Sequence, residues 1–155
     1  MCPPSTPSRI PIFPSRCARK TSVDDSASMT RKDGYPDEAQ HEALAASIAP
    51  RELEQTTRAE LVAAVLGQKG GLLEQLAKNH DVRLFRVQRK PVPIRDLGEL
   101  TARGPRTQLG DALDLHLATA AAGNLDAVIL VSDGRNNTGL DPVEVAAKYA
   151  LRGIP

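Results

Sequence analysis

The stretch "LDAVILVSDGRNNTGLDPVEVAAKYALRG", residues 125–153, contains a whole structural unit. Ala127 to Val131 is an unbroken apolar run, which suits a strand buried on both faces. Ser132-Asp133-Gly134 then supplies turn chemistry. Asp141 stands where a helix N-cap belongs and Pro142 at the first helical position. Glu144 is placed to close a capping box, and Gly153 stops the helix. A buried strand that runs through a loop into a helix is the building block of a parallel sheet covered by helices.

Working outward, the same alternation recurs. "TQLGDALDLHLATAAA" (107–122) reads as a long helix. "DVRLFRVQ" (81–88) sets Val82, Leu84 and Arg86 against Arg83, Phe85 and Val87 and has strand composition. "KPVPI" (90–94) suits only a sheet edge, because proline withholds ladder donors. "TRAELVAAVLG" (57–67) opens on a capping box from Thr57 to Glu60, and "GLLEQLAKNH" (71–80) carries Leu72, Leu73, Leu76 and Ala77 on one helical face. "EAQHEALAASI" (38–48) is a further helical run ending before Pro50. The expected fold class is α/β: a three-layer, mostly parallel, Rossmann-like sheet with helices on both faces.

A chain of 155 residues fits one domain with a real core. It has no Trp and only 3% aromatic residues, which argues against a stacking platform for bases. The net charge of +1 is uneven. Residues 1–22 hold Arg9, Arg16, Arg19 and Lys20 without an acid, so the remainder carries about −3, from 16 basic and 19 acidic residues. With no basic stripe in the body, no nucleic-acid partner is expected.

The first 22 residues are read as a disordered Pro/Arg-rich leader. "IPIF" is too short for the apolar stretch of a secretory signal, and five prolines spoil the amphipathic helix of a transit peptide. Cys2 and Cys17 both lie in this leader, where a disulfide would staple no core. No segment reaches membrane-spanning length, so a cytoplasmic location is the default expectation.

In a parallel α/β sheet, functional groups gather at the carboxyl ends of strands. Three segments supply such ends: "DDSAS" (24–28) before a helical region, "RGPRTQLG" (103–110) opening one, and "VSDG" (131–134) closing a strand. Their carboxylates and hydroxyls are hard oxygen donors, the set that Mg²⁺ prefers, with Mn²⁺ or Ca²⁺ as alternatives. Alternation in Asp24-x-Ser26-x-Ser28 directs these three side chains to one side of an extended loop and Asp25 to the other, where alanine should be tolerated. Bland readings stand beside this one: a solvated loop for "DDSAS", a helix cap for Thr107, a plain turn for "SDG". "GQKGG" (67–71) lacks the ending of a phosphate loop, "NNT" (136–138) reads as a chance glycosylation match, and His41, His80 and His116 lack ligand spacing.

Asp-x-Ser-x-Ser, a distant Thr before a Gly-x-Ala-Leu helix, and Ser-Asp-Gly after an apolar strand together resemble the von Willebrand factor type A (VWA) domain and its metal-ion-dependent adhesion site. The likeness runs from Val23 to Pro155, and residues 132–155 resemble the bacterial branch, whose members are often membrane-anchored. The resemblance implies that Ser26 and Ser28 ligate Mg²⁺ directly and that Thr107 does so directly or through water. Asp24 and Asp133 would hold metal-bound waters, and an acidic side chain of a partner protein would complete the shell. It implies a binding module rather than an enzyme. A truncated remnant that binds no metal, and a metal-assisted hydrolase, are the alternatives. The sequence departs from the family in front of Val23, where "CARKTS" (17–22) would place Arg19 and Lys20, unpaired, in a central strand. The expectation is therefore a partial domain, 23–155, lacking its first central strand and, after Pro155, its last strand and helix.

Overall fold

The computed structural model describes residues 18–120 and 125–155. Strands β1 (Ala18–Asp24), β2 (Asp81–Val87), β3 (Pro91–Ile94) and β4 (Leu125–Val131) form one sheet in the order β3-β2-β1-β4. β1 runs parallel to both β2 and β4, while β3 returns antiparallel along β2 as an edge strand. The prolines of "PVPI" sit at that edge, where missing amide donors do least harm.

Helices cover both faces. On one side Val23 packs with Leu66 and Leu97, joined by Val62 of α2 (Arg58–Gly67), Leu73 of α3 (Leu72–Ala77) and Leu84. On the other, Leu113 and Leu117 of α4 (Leu109–Ala118) meet Leu125 and Val145 and Tyr149 of α5 (Pro142–Leu151). Val87 packs there against Leu109 and Ala112. α1 (Glu38–Ile48) lies against α2. Among the described residues no helix is long and apolar enough to cross a membrane. The α/β class with helices on both faces is thus the observed architecture.

The expectation of a missing central strand is corrected. Residues 18–24 are that strand, flanked by β2 and β4, and Lys20 to Asp24 are all buried. Residues 18–22, expected in the leader, are part of the sheet; residues 1–17, with Cys2 and Cys17, lie outside the described residues. The two cations that argued against this strand both find partners. Arg19 Nε donates to Asp126 Oδ2 on β4 at 2.7 Å, near the surface. Lys20 Nζ donates to His116 O at 3.2 Å and reaches Thr119 Oγ1 at 3.4 Å. His116 O belongs to the last turn of α4, whose carbonyls lack helical partners and carry the negative end of the helix dipole. The same ammonium stands 5.9 Å from the centroid of the Phe85 ring. Ser22 Oγ shares a 2.7 Å hydrogen bond with His116 Nε2, and His116 meets Phe85 edge to face at 4.6 Å. Lys20, Ser22, Phe85, His116 and Thr119 therefore make a polar seam between the sheet and α4. The hydroxyl of Thr21, which points to the opposite face, is the one buried side-chain polar atom without a partner among the described residues.

Helix ends are set largely by local bonds. Thr57 and Glu60 form the full capping box of α2. In α5, Asp141 accepts from the Val143 amide, so its cap bond goes to the second helical amide and not through the expected box with Glu144. Gly153 takes φ +65°, the left-handed conformation that ends the helix. α4 is shorter than expected, closing at Ala118.

Candidate functional site

Strand order reverses at β1: the chain goes to β2 on one side and later to β4 on the other. Between the carboxyl ends of β1 and β4 no crossover closes the sheet, and the resulting crevice is where α/β sheets bind ligands. Asp24, the last residue of β1, lies at this point, and Ser132 directly follows β4.

Asp24 is 1% exposed, and its carboxylate gathers the surrounding loops. Oδ1 accepts the Ser26 amide at 2.9 Å and faces the Thr107 hydroxyl at 3.4 Å. Oδ2 accepts the Ser132 hydroxyl at 3.0 Å. Ser26 Oγ and Ser28 Oγ lie 2.9 Å apart. The reason differs from the alternation expected of an extended loop: the chain turns into a 3-10 helix at Ala27, which folds Ser28 back beside Ser26. The structure thus brings Asp24, Ser26, Ser28 and Thr107 into one cluster and adds Ser132, the first residue of "SDG".

Asp25 is not the free position expected. It is wholly buried and accepts from the Thr101 and Ala102 amides, from Thr101 Oγ1 at 2.9 Å and from Gln88 Nε2 at 2.9 Å. Arg86 Nη1 adds its charge at 3.7 Å. Its backbone continues the tie: Gly104 N donates to Asp25 O and Ala27 N to Gly104 O, so the 101–104 loop is laced to the metal-loop candidate. Alternation predicted the opposite side correctly, but that side faces a loop rather than water.

Thr107 is 1% exposed and precedes α4, whose N-cap is Gln108, so Thr107 is not the cap. The first amide of α4, on Leu109, is met instead by Asn136 Oδ1 at 2.9 Å, from the loop after β4. Asn136 also donates to Leu140 O, and Asn137 N donates to Thr107 O at 3.0 Å. Gly110 permits this close approach: a Cβ there would collide with the Leu140 carbonyl. At Gly139, φ +91° favours glycine, and a Cβ there would also have to displace the Asp111 carboxylate.

Asp133 is placed differently. Its Oδ1 accepts the Arg135 amide at 3.1 Å, closing a turn, and its Oδ2 accepts Arg58 Nη1 at 2.9 Å. Arg58 also grips both oxygens of Asp33 through Nε and Nη2. That bidentate bond holds the Asp33 carboxyl below its ordinary range and raises Arg58 in turn. No spacing rule pointed to Arg58 or Asp33, since they come from a helix start and a loop far from the three strand ends.

The donor chemistry fits a hard divalent cation. An octahedral Mg²⁺ shell with bonds of about 2.1 Å has neighbouring oxygens about 3 Å apart, the spacing of the two serine hydroxyls. Asp24 stands behind them to orient hydroxyls or bound waters. Among the described residues no group of three or more His, Cys, Asp or Glu is gathered as a metal site; this cluster is built on hydroxyls.

No protein-family model and no curated protein sequence matches the chain. Among solved structures, it is similar to proximal thread matrix protein 1 from the mussel byssus, in crystal form 2, at 13% identity and a TM-score of 0.47. A second structure of that protein, with a zinc-occupied MIDAS motif, is 16% identical with a TM-score of 0.44. Both likenesses cover 90% of this chain and 36% of the other.

Proposed function

We propose that this chain is a non-catalytic, divalent-cation-dependent protein-binding module of the von Willebrand factor type A kind. The observation that carries the reading is the convergence of Asp24, Ser26, Ser28 and Thr107 at the carboxyl end of the central strand β1. In this reading Ser26 and Ser28 hold Mg²⁺ through their hydroxyls. Thr107 binds directly or through water, and Asp24 and Asp133 orient bound waters. Bound there, the cation supplies an electrophile for an acidic side chain of a partner protein. Because the hydroxyls are neutral, the protein leaves most of the ion's charge for that outside carboxylate. Asp24 is already committed to the Ser26 amide, Thr107 and Ser132, which favours an orienting role over that of a base.

Calorimetric titration of the full chain with Mg²⁺ and Mn²⁺ tests the proposal, with Ca²⁺ as a third ion. Saturable uptake that EDTA reverses and Asp133→Ala abolishes supports it. Ligand binding that persists in EDTA, or in the Asp133→Ala chain, refutes it.

A further inference from the structure

Arg58 occupies the first position of α2, held there by the Thr57–Glu60 capping box and by its own amide, which donates to Arg31 O at 2.9 Å. Arg31 follows the 3-10 turn that carries Ser28. The helix start is thereby tied to the candidate metal loop. The Arg58 guanidinium is shared between two carboxylates, Asp33 on one edge and Asp133 on the other. It borders a cavity of about 310 Å³ lined also by Met29, Val131, Ser132 and Asp133. The Asp133 side chain is 7% exposed, so water offers its Oδ2 little alternative to the guanidinium.

Resting on the proposed metal site, we infer that Arg58 competes with the ion's bound water for the Asp133 carboxylate and so sets the concentration at which the site loads. An oxygen that accepts a charge-assisted bond has a lone pair committed, and a guanidinium beside an incoming dication adds like-charge repulsion. Loading the site therefore requires the Arg58–Asp133 bond to loosen. Asp33 makes that step accessible, because its two bonds retain the guanidinium when Asp133 lets go. Arg58 is a positioning residue: it acts through Asp133, and its side-chain hydrogen bonds go to Asp33 and Asp133 rather than to the hydroxyl cluster.

The sign of the effect separates this role from plain structural support. Loss of a supporting residue weakens metal binding, whereas loss of a competitor strengthens it. In Mg²⁺ titrations of the full chain, Arg58→Met is expected to bind about tenfold tighter than the unaltered protein, equivalent to roughly 1.4 kcal/mol. Its thermal midpoint should rise more on adding Mg²⁺, although its metal-free midpoint is lower. Asp33→Asn, which leaves Asp133 as the one carboxylate bonded to the guanidinium, is expected to bind several-fold weaker. Opposite shifts from two residues in direct contact cannot arise from shared loosening of the fold.

An Arg58→Met chain with an unchanged circular dichroism spectrum and equal or weaker Mg²⁺ affinity overturns the competition and leaves the metal site standing. If Arg58→Met does not fold, Asp33→Asn decides alone, and equal or tighter binding by it overturns the inference. If neither the unaltered chain nor Arg58→Met takes up Mg²⁺ or Mn²⁺, the metal reading and this inference fall together.

Discussion

Ser132 Oγ donates to Asp24 Oδ2 at 3.0 Å, joining residues 108 positions apart at the carboxyl ends of β4 and β1. Through it the central strand and the edge strand share one carboxylate, which also takes the Ser26 amide and faces Thr107. Ser132→Ala removes one donor and leaves a buried charge less satisfied. The expected loss is about 1–2 kcal/mol of stability, read from urea unfolding. Asp24→Ala strands three donors at once and should cost more than Ser132→Ala; equal midpoints for the two would refute the hub role of Asp24.

The two serines test the metal loop against a solvated loop. Ser26→Ala and Ser28→Ala change volume little and remove oxygen, so each is expected to weaken Mg²⁺ by about 1–3 kcal/mol. Calorimetry on both variants checks this, and a flat series across them argues for an ordinary turn.

Asp25 supplies the contrast. Alanine there leaves the Thr101 and Ala102 amides, Thr101 Oγ1 and Gln88 without their acceptor and frees the 101–104 loop. Loss of a buried charge with several hydrogen bonds is expected to cost about 3 kcal/mol or more, seen as a lowered melting temperature. A variant that melts with the unaltered protein would show the staple to be unimportant.

His116 makes stability depend on pH. It is 1% exposed, and burial, with the Lys20 charge second, pushes its imidazole down to about 4 from the ordinary 6.5. The folded state therefore prefers the neutral ring, and the unfolded chain binds the extra proton first. This contribution is complete above pH 6.5 and is lost as pH falls toward 4, by the order of 2–3 kcal/mol in all. Urea midpoints from pH 7 to 4.5 should fall less steeply for His116→Gln than for the unaltered protein, and parallel curves would assign the acid sensitivity elsewhere.

Thr21 offers a gain. Its hydroxyl is wholly buried and has no partner among the described residues, so valine of the same shape removes an unpaid desolvation. Thr21→Val is expected to add about 1 kcal/mol, raising the unfolding midpoint; a drop would mean that the hydroxyl is satisfied in solution.

Periodicity and end signals alone determined the α/β alternation. Ala127 to Val131 admits little besides a buried strand, and Thr57–Glu60 and Asp141–Pro142 mark helix starts through local bonds that need no distant partner. The segments bearing Asp24, Ser26, Ser28 and Thr107 were legible too, because strand ends in such sheets collect polar groups. Tertiary structure decided the rest. "ARKTS" reads as too polar for a central strand until the C-terminal turn of α4 meets Lys20 and Asp126 meets Arg19. Asp25 reads as tolerant of alanine until the 101–104 loop closes over it, and Asp133 as a holder of metal-bound water until Arg58 arrives from α2. In each case a charge's environment depends on a partner dozens of residues away. Local pattern reports where a side chain points, and only the fold supplies what it meets there.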